Sequence, residues 1–121
     1  MITPSPEHVT TTPNATMTGL AAPSRGSSEL STWRVDMPAG GTGPEHSVSR
    51  EQVWTLTAGS LEVTFEGRTE TVAVGRTLVL PADAPRRIHA PETFSAHVAM
   101  RADGVVSVPG EDEPRVLPWA R

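Results

Sequence analysis

Apolar and polar residues alternate with a period of two through the middle of the chain. In 29–37 the apolar residues Leu30, Trp33, Val35 and Met37 fall mostly on one face of an extended chain. The segments 52–58 and 61–65 alternate in the same way, and such alternation is typical of half-buried β-strands. Further strands are predicted over 70–74, 77–80, 86–90, 94–101 and 105–108, and no helix of any length is predicted.

Turn residues separate these strands at short intervals. The dipeptides Ala58-Gly59, Glu66-Gly67 and Val74-Gly75 and the segment 81–85 all have turn chemistry. Val and Thr are abundant, and β-branched side chains suit a pleated sheet better than a helix. The sequence therefore predicts an all-β domain, an antiparallel sandwich or barrel.

Both ends of the chain differ from this pattern. Residues 1–28 contain mostly Thr, Pro, Ser, Ala and Gly, so we predict a flexible N-terminal arm. The alternative is that part of the arm adds a strand to the barrel or to a partner subunit. Residues 109–121 carry three prolines and an acidic run and are predicted to form a C-terminal tail that Trp119 could hold down. The barrel itself is assigned to 29–108.

Composition excludes several kinds of chemistry. The chain has no Cys and no Tyr, and all ten basic residues are Arg, so thiolate, phenol and lysine Schiff-base chemistry are excluded. A net charge of −4 without a basic cluster argues against nucleic-acid binding. No segment has the pattern of a membrane span or signal peptide, which predicts a cytoplasmic protein. Arg without Lys, with abundant Ala, Gly, Pro and Val, is the usage expected of a GC-rich bacterial genome.

Two groups of residues resemble the paired motifs of the cupin superfamily. The first motif, G-x5-H-x-H-x3-E-x6-G, matches in spacing at Gly40, His46, Val48, Gln52 and Gly59. The second, G-x5-P-x-G-x2-H-x3-N, matches in spacing at Gly75, Pro81, Asp83, Arg86 and Ala90. The resemblance implies a jelly-roll β-barrel with a pocket at one mouth, where many members hold a metal ion with three His and one Glu.

Three of the four implied metal ligands are replaced in this chain. His46 remains, but Val48, Gln52 and Arg86 stand where the other two His and the Glu are expected. One imidazole and one carboxamide beside a guanidinium would hold a divalent ion poorly, so we predict neither metal nor other cofactor. If a metal is present, His46 and Gln52 would be its ligands. Two other sources of ligands stay open: Glu51 through a register slip, and His89 or His97 through a bulge.

The predicted site is an apolar pocket with a few polar groups. His46, Gln52 and Arg86 are the candidate catalytic residues, because an imidazole can move a proton near neutral pH and a guanidinium can stabilise developing negative charge. Gln52 could instead simply bond to His46 or Arg86, and Arg86 could turn outward to solvent. The predicted ligand-binding residues are Trp33, Met37, Val48, Trp54, Ile88, Phe94 and Met100, with Val35, Leu56, Val79 and Val98 as further wall candidates.

Three functions are compatible with such a pocket. The first is metal-independent acid/base catalysis, of isomerase, cyclase or lyase type, on an oxygenated or anionic metabolite in bacterial secondary or small-molecule metabolism. The second is a non-catalytic ligand-binding or sensor protein, and the third is a metal-dependent oxygenase or isomerase with unconventional ligands. A homodimer is also expected, because Val53, Val72 and Val74 place apolar side chains outside the predicted pocket.

Overall fold

The structure, a computed structural model, describes residues 7–121 and contains only strands, turns and two short 3-10 turns in that part of the chain. The 3-10 turns lie at Pro23–Arg25 and Pro118–Ala120. The strands are β1 (His8–Thr11), β2 (Thr16–Ala21), β3 (Leu30–Met37), β4 (Ser47–Val48), β5 (Gln52–Ala58), β6 (Ser60–Phe65), β7 (Arg68–Ala73), β8 (Thr77–Leu80), β9 (Arg86–His89), β10 (Phe94–Arg101), β11 (Val105–Ser107) and β12 (Arg115–Val116).

The strands form three antiparallel sheets around one apolar cluster. The large sheet has the order β1-β2-β3-β10-β5-β8, and the two small sheets have the orders β12-β11-β4 and β7-β6-β9. In the centre of the large sheet Trp33 lies opposite Val98 and Val35 lies opposite Ala96, and all four are buried. The alternation read from the sequence thus points one face of each strand inward. The all-β antiparallel jelly-roll prediction is confirmed.

One predicted wall residue, Val79, faces outward. Val79 is 53% exposed, whereas its neighbour Leu80 is buried. In the register of β5 with β8, Leu80 lies opposite the buried Gln52 and Val79 lies opposite Val53 on the outer face. Strand parity therefore places Leu78 and Leu80 on the inner side, and Val79 is not a wall of the barrel interior.

The described part of the predicted N-terminal arm is an ordered hairpin. Strand β2 pairs along β3, and β1 pairs along β2, so residues 8–21 add two strands to one edge of the large sheet. The flexible-arm prediction is corrected for these residues, in favour of its alternative of an added strand. Backbone ladder bonds and small buried residues such as Ala15 and Ala22 stabilise the hairpin, which a count of large apolar side chains does not reveal. Residues 1–6 of that prediction lie outside the described residues.

The C-terminal segment is also anchored to the barrel. Its Trp119 ring lies 6.5 Å from the Trp33 ring at an angle of 59°, and Leu117 and Ala120 are buried. The hydroxyl of Ser31 donates a hydrogen bond to the Ala120 carbonyl. Residues 109–121, predicted as a tail, therefore contribute a short strand and a 3-10 turn that cover the barrel next to Trp33.

Of the three apolar residues expected outside the barrel, Val72 faces the interior instead. Val72 lies opposite Leu61 in the β6–β7 pair and packs against the apolar cluster. Val74 follows the end of β7 and is 58% exposed, and Val53 is half-buried on the outer face of the large sheet. Across residues 7–121 no helix has the length and apolar character needed to cross a lipid bilayer.

Candidate functional site

The loop before β4 brings His46 beside Arg86. The two residues exchange backbone hydrogen bonds, 3.0 Å from the His46 N–H to the Arg86 carbonyl and 2.8 Å in the other direction. Opposed residues in an antiparallel pair place their side chains on the same side, so the imidazole and the guanidinium are neighbours. A second bridge, between Thr42 and His89, fixes the same loop to β9. The motif spacing thus brings together two of the three predicted catalytic residues.

Arg86 is the largest buried polar side chain of the barrel. It is 1% exposed, and its Nη1 donates to the carbonyl oxygens of Ala84 at 2.8 Å and Pro81 at 3.5 Å. Its Nη2 donates to Oε1 of Gln52 at 3.1 Å. Within the described chain no carboxylate pairs with this guanidinium, and its Nε has no hydrogen-bond partner. The positive charge is therefore held only by neutral dipoles.

Gln52 is the centre of a small buried polar cluster. Its Oε1 accepts hydrogen bonds from both Arg86 Nη2 and Trp54 Nε1, each at 3.1 Å, and its Nε2 lies 3.6 Å from the Met100 sulfur. The structure thus shows the arrangement in which Gln52 bonds to Arg86. Because its amide oxygen already has two donors, Gln52 has little capacity left to bind another molecule.

Burial sets the ionisation of the two basic groups. Burial lowers the pKa of Arg86 to about 10, which still leaves the guanidinium charged at neutral pH. Burial also lowers the pKa of His46, and the nearby Arg86 charge lowers it further, while the hydrogen bond to the Pro44 carbonyl opposes the shift. At 3.0 Å from that carbonyl, Nδ1 must carry the proton. The neutral ring therefore has its lone pair on Nε2, to which no described residue donates.

The residues predicted to line the ligand pocket are all buried, and they pack against one another in the apolar cluster. They are Trp33, Met37, Val48, Trp54, Ile88, Phe94 and Met100. An open groove of about 420 Å³ on the outer side touches Met100, but neither His46, Gln52 nor Arg86 lines it. Trp54 and Met100 contact Gln52, whereas Met37 and Phe94 lie opposite each other at the other end of β10. Side chains of the protein thus fill the space of the predicted pocket.

A second opening, which the sequence reasoning missed, lies between the two sheets. It has a volume of about 180 Å³ and lies between β8 and the pair β6 and β7. Its apolar wall includes Val63, Phe65 and Leu78, and it also does not contact His46, Gln52 or Arg86 directly. A sequence signal for it exists: Arg68 and Glu70 alternate with Thr on β7 and so share the face of Val72, which predicts an opening where that edge meets the core.

The four implied metal-ligand positions do not fit a metal ion. His46 offers one imidazole, Val48 offers no donor, and the Gln52 oxygen is engaged by Arg86 and Trp54. The guanidinium of Arg86 places a positive charge where the third imidazole is expected. Residues 7–121 contain no cluster of three or more His, Asp or Glu side chains suited to a metal.

The alternative metal ligands lie away from this site. His97 and Glu51 are exposed. His89 points outward, where its Nδ1 is 2.6 Å from the Thr42 hydroxyl and its Nε2 is 3.8 Å from Glu62. The alternation of the strands thus keeps these side chains outside the barrel, as their positions relative to Arg86 and Phe94 in the sequence indicate.

An antiparallel barrel with two motifs in register defines a class of fold, and comparison with known proteins identifies the family. The cupin domain family model matches residues 33–101, more than half of the chain, so the chain belongs to the cupin domain family. A comparison with curated protein sequences gave no match.

Solved structures share the fold. A conserved protein of unknown function from Streptococcus pyogenes is 25% identical, with a TM-score of 0.61 over 70% of this chain and 71% of the other. An RmlC-like cupin from Shewanella frigidimarina is 14% identical, with a TM-score of 0.68 over 78% and 83%. Salicylate 1,2-dioxygenase from Pseudoaminobacter salicylatoxidans is 18% identical, with a TM-score of 0.74 over 86% of this chain but 34% of the dioxygenase. At such identities the last two likenesses concern the fold alone.

Proposed function

We propose that this cupin binds a small oxygenated or anionic organic metabolite beside Arg86 and His46 and catalyses proton transfer in it without a metal. The observation that supports the proposal most directly is the buried guanidinium of Arg86, which faces no carboxylate within residues 7–121. A buried charge with no opposite charge costs several kcal/mol, on the order of a whole domain's margin of stability. A ligand carboxylate or enolate would supply the missing negative charge.

The adjacent imidazole gives the site a base. His46 is neutral near pH 7 because burial lowers its pKa, and its Nε2 lone pair is available. In the proposed reaction Nε2 removes a proton from a carbon next to the ligand's carbonyl group, and Arg86 stabilises the resulting enolate oxygen. Return of the proton to another atom gives an isomerase, and loss of a leaving group gives a lyase.

A non-catalytic binding or sensor cupin is the second candidate. It is favoured by the contacts of Gln52, whose amide oxygen is already shared between Arg86 and Trp54 and so does not stabilise a reacting oxygen. In that case Arg86 recognises the same class of ligand and His46 contributes shape and a hydrogen bond. Binding is common to both candidates, and turnover separates them.

Binding is tested with a panel of small carboxylic acids and their neutral amide analogues, measured by isothermal titration calorimetry. We expect acids to bind more tightly than the matched amides. Arg86→Met removes the charge and should abolish the preference for acids. Arg87→Met is the matched control, because Arg87 is the exposed neighbour on the same strand.

A second variant keeps the proposal testable if Arg86→Met does not fold. Gln52→Glu leaves Arg86 in place but gives it a carboxylate 3.1 Å away, at the position where Gln52 Oε1 now lies. The internal charge pair should then compete with the ligand, so acid binding should weaken at least tenfold. Unchanged acid binding in both variants would show that Arg86 does not bind the ligand.

Catalysis is tested by deuterium exchange into the bound acids, followed by NMR. His46→Gln should stop exchange while it leaves acid binding within about threefold, because Gln keeps a polar side chain but cannot accept the proton as a base. Binding without exchange in the unmodified protein would favour the sensor function. Exchange that persists in His46→Gln would remove His46 from the mechanism.

A further inference from the structure

The opening between the sheets, here called the slot, has a defined origin in the topology. Strands β7 and β8 are consecutive, yet β7 is the edge of one sheet and β8 is the edge of another. Near the turn between them, Gly75 and Arg76 exchange backbone hydrogen bonds with Leu56. The two edges part from that turn, and about 180 Å³ lies between them. The slot is lined by Val63, Phe65, Arg68, Glu70, Leu78, Val79, Leu80 and Pro81.

The inner wall of the slot is apolar, and its outer rim is charged. Val63 and Leu80 are buried, and Phe65 and Leu78 are half-buried. In the β6–β7 register Phe65 lies opposite Arg68 and Val63 lies opposite Glu70, so both charged side chains are on the same face as the apolar wall. Both are exposed, and they mark the rim of the slot. A ligand that enters the slot therefore passes the charged side chains of the rim before it reaches the apolar wall.

The slot ends next to Arg86. Phe65, which lines the slot, is the register partner of Arg86 in the β6–β9 pair, and the two side chains share one face. Pro81, which also lines the slot, accepts the longest of the three hydrogen bonds from Arg86, 3.5 Å from Nη1. The Nε of Arg86 has no partner among the described residues. Phe65 and Pro81 thus line the apolar cavity and also neighbour the incompletely bonded guanidinium.

We infer that the slot binds the apolar part of a compact carboxylic acid whose carboxylate reaches Arg86. This inference rests on the proposed function and adds the shape of its ligand. A cavity of roughly 150 Å³ is known to hold a benzene ring, so about 180 Å³ suits one ring or a short branched chain. The carboxylate takes the place of the weak Pro81 contact at Nη1, while the hydrocarbon lies against Val63 and Leu78. The ligand class is a single-ring or branched short-chain organic acid.

The charged rim also has a purely protective explanation. Inward-facing charged residues on an edge strand discourage pairing with other chains. If Arg68 and Glu70 have only that role, their charges do not indicate a ligand. The experiment therefore compares ligands that differ in ring and in charge.

Three probes separate the contributions: benzoate has a ring and a carboxylate, acetate has the carboxylate alone, and benzyl alcohol has the ring without charge. Binding is followed by methyl NMR shifts of Val63 and Leu78 in the full chain. Leu78→Trp fills the slot, and Thr77→Trp is the control on the exposed side of the same strand. Thermal unfolding of each variant verifies that it is folded.

We expect benzoate to bind at least tenfold more tightly than acetate and to shift the Val63 and Leu78 signals. Leu78→Trp should weaken benzoate at least tenfold, and Thr77→Trp should leave it unchanged. If benzoate binds with no shift at these methyl groups, or if Leu78→Trp has no effect, the slot is not the site. If benzyl alcohol binds as tightly as benzoate and only Leu78→Trp weakens it, the slot stands and the proposed role of Arg86 fails. Binding of no probe overturns both.

Discussion

Arg86 donates a hydrogen bond to Gln52 over 3.1 Å, and both residues stand at positions where the family motif places metal ligands. A buried cation supplied by the chain thus connects β5, β9 and the loop before β9. Because Gln52 is neutral, this connection leaves the guanidinium without an opposite charge. The unpaired charge of Arg86 should therefore affect both stability and metal binding.

The Arg86–Gln52 contact should show strong thermodynamic coupling. Gln52→Leu leaves a buried guanidinium and the Trp54 indole N–H without an acceptor and should lower the free energy of unfolding by about 2 to 4 kcal/mol. Arg86→Met removes an unpaired buried charge and should change it by less than about 1 kcal/mol, or increase it. In the double variant the Gln52→Leu cost should fall by about half. Urea unfolding of all four proteins measures the cycle, and additive effects would contradict the coupling.

Restoring the motif residues should create a tight metal site. We expect the unmodified protein to bind Co²⁺ only weakly, because Val48 and Arg86 provide no donor. The triple variant Val48→His, Gln52→Glu and Arg86→His should bind Co²⁺ at least a hundredfold more tightly. Visible absorption of Co²⁺ and metal analysis of purified protein measure this. A stoichiometric metal in the unmodified protein, lost on chelation together with thermal stability, would refute the prediction.

Stability should decrease in mild acid because of His46. Its pKa in the folded protein is below the ordinary 6.5, since burial disfavours the charged ring, so the unfolded chain takes up the proton first. The contribution is complete above about pH 6.5 and is lost as the pH falls through the folded pKa, with a slope of at most about 1.4 kcal/mol per pH unit. Urea unfolding between about pH 7 and pH 5 measures the slope.

His46→Gln should reduce that slope, because it removes the titrating ring. The carboxyl of Asp36 does not contribute to the slope in this pH range. Burial opposes ionisation of Asp36, but hydrogen bonds from Ser95 and Arg34 outweigh it and hold its pKa below 3.8. An unchanged slope in His46→Gln would show that another group titrates.

The contact between Trp119 and Trp33 should contribute measurably to stability. Trp119→Ala removes a ring that packs 6.5 Å from Trp33 and should cost about 2 kcal/mol, which is roughly 8 °C in Tm for a domain of this size. Trp119→Phe keeps a ring and removes an indole N–H that has no partner among residues 7–121. It should therefore cost less than about 1 kcal/mol. Equal losses in the two variants would show that the ring contact is not what stabilises the segment.

We expect a homodimer formed through the outer face of the large sheet. Val53 lies opposite both Val79 and Ala99, so three apolar side chains form a row across β8, β5 and β10. Val79 is 53% exposed, and Val79→Glu should weaken self-association without unfolding the chain. Val9→Glu, on the exposed β1, is the control. Light scattering at micromolar concentration measures the mass, and a monomer in the unmodified protein would contradict the expectation.

The strands and the convergence of the motif residues could be predicted from the sequence. Alternation gives the strands Gln52–Ala58, Thr77–Leu80 and Phe94–Arg101 with the bounds that the structure shows. The spacing of His46 and Arg86 within the two motifs indicates that they meet, and they do. These features depend on local periodicity and on a pattern shared by a family, both of which are visible in one chain.

The contacts inside the site could not be predicted in the same way. Whether Gln52 turns to Arg86, to His46 or to a ligand depends on side-chain geometry that alternation does not specify. The error at Val79 arose because a short strand with apolar residues at successive positions does not reveal its inner face. The N-terminal hairpin was predicted only as the alternative to a flexible arm, because backbone bonds to β3 stabilise it and these leave no mark in apolar composition.

The pairing of β3 with β10 has a consequence for how the protein folds. Leu30 lies opposite Arg101, and Met37 lies opposite Phe94, so the centre of the large sheet joins segments more than fifty residues apart. During synthesis β2 can pair with β3 early, but the other edge of β3 stays open until β10 has been made. Sheets that depend on such distant partners fold in milliseconds to seconds, and their open edges are prone to aggregation meanwhile. The time between synthesis of β3 and of β10 is therefore when this chain is most vulnerable to misfolding.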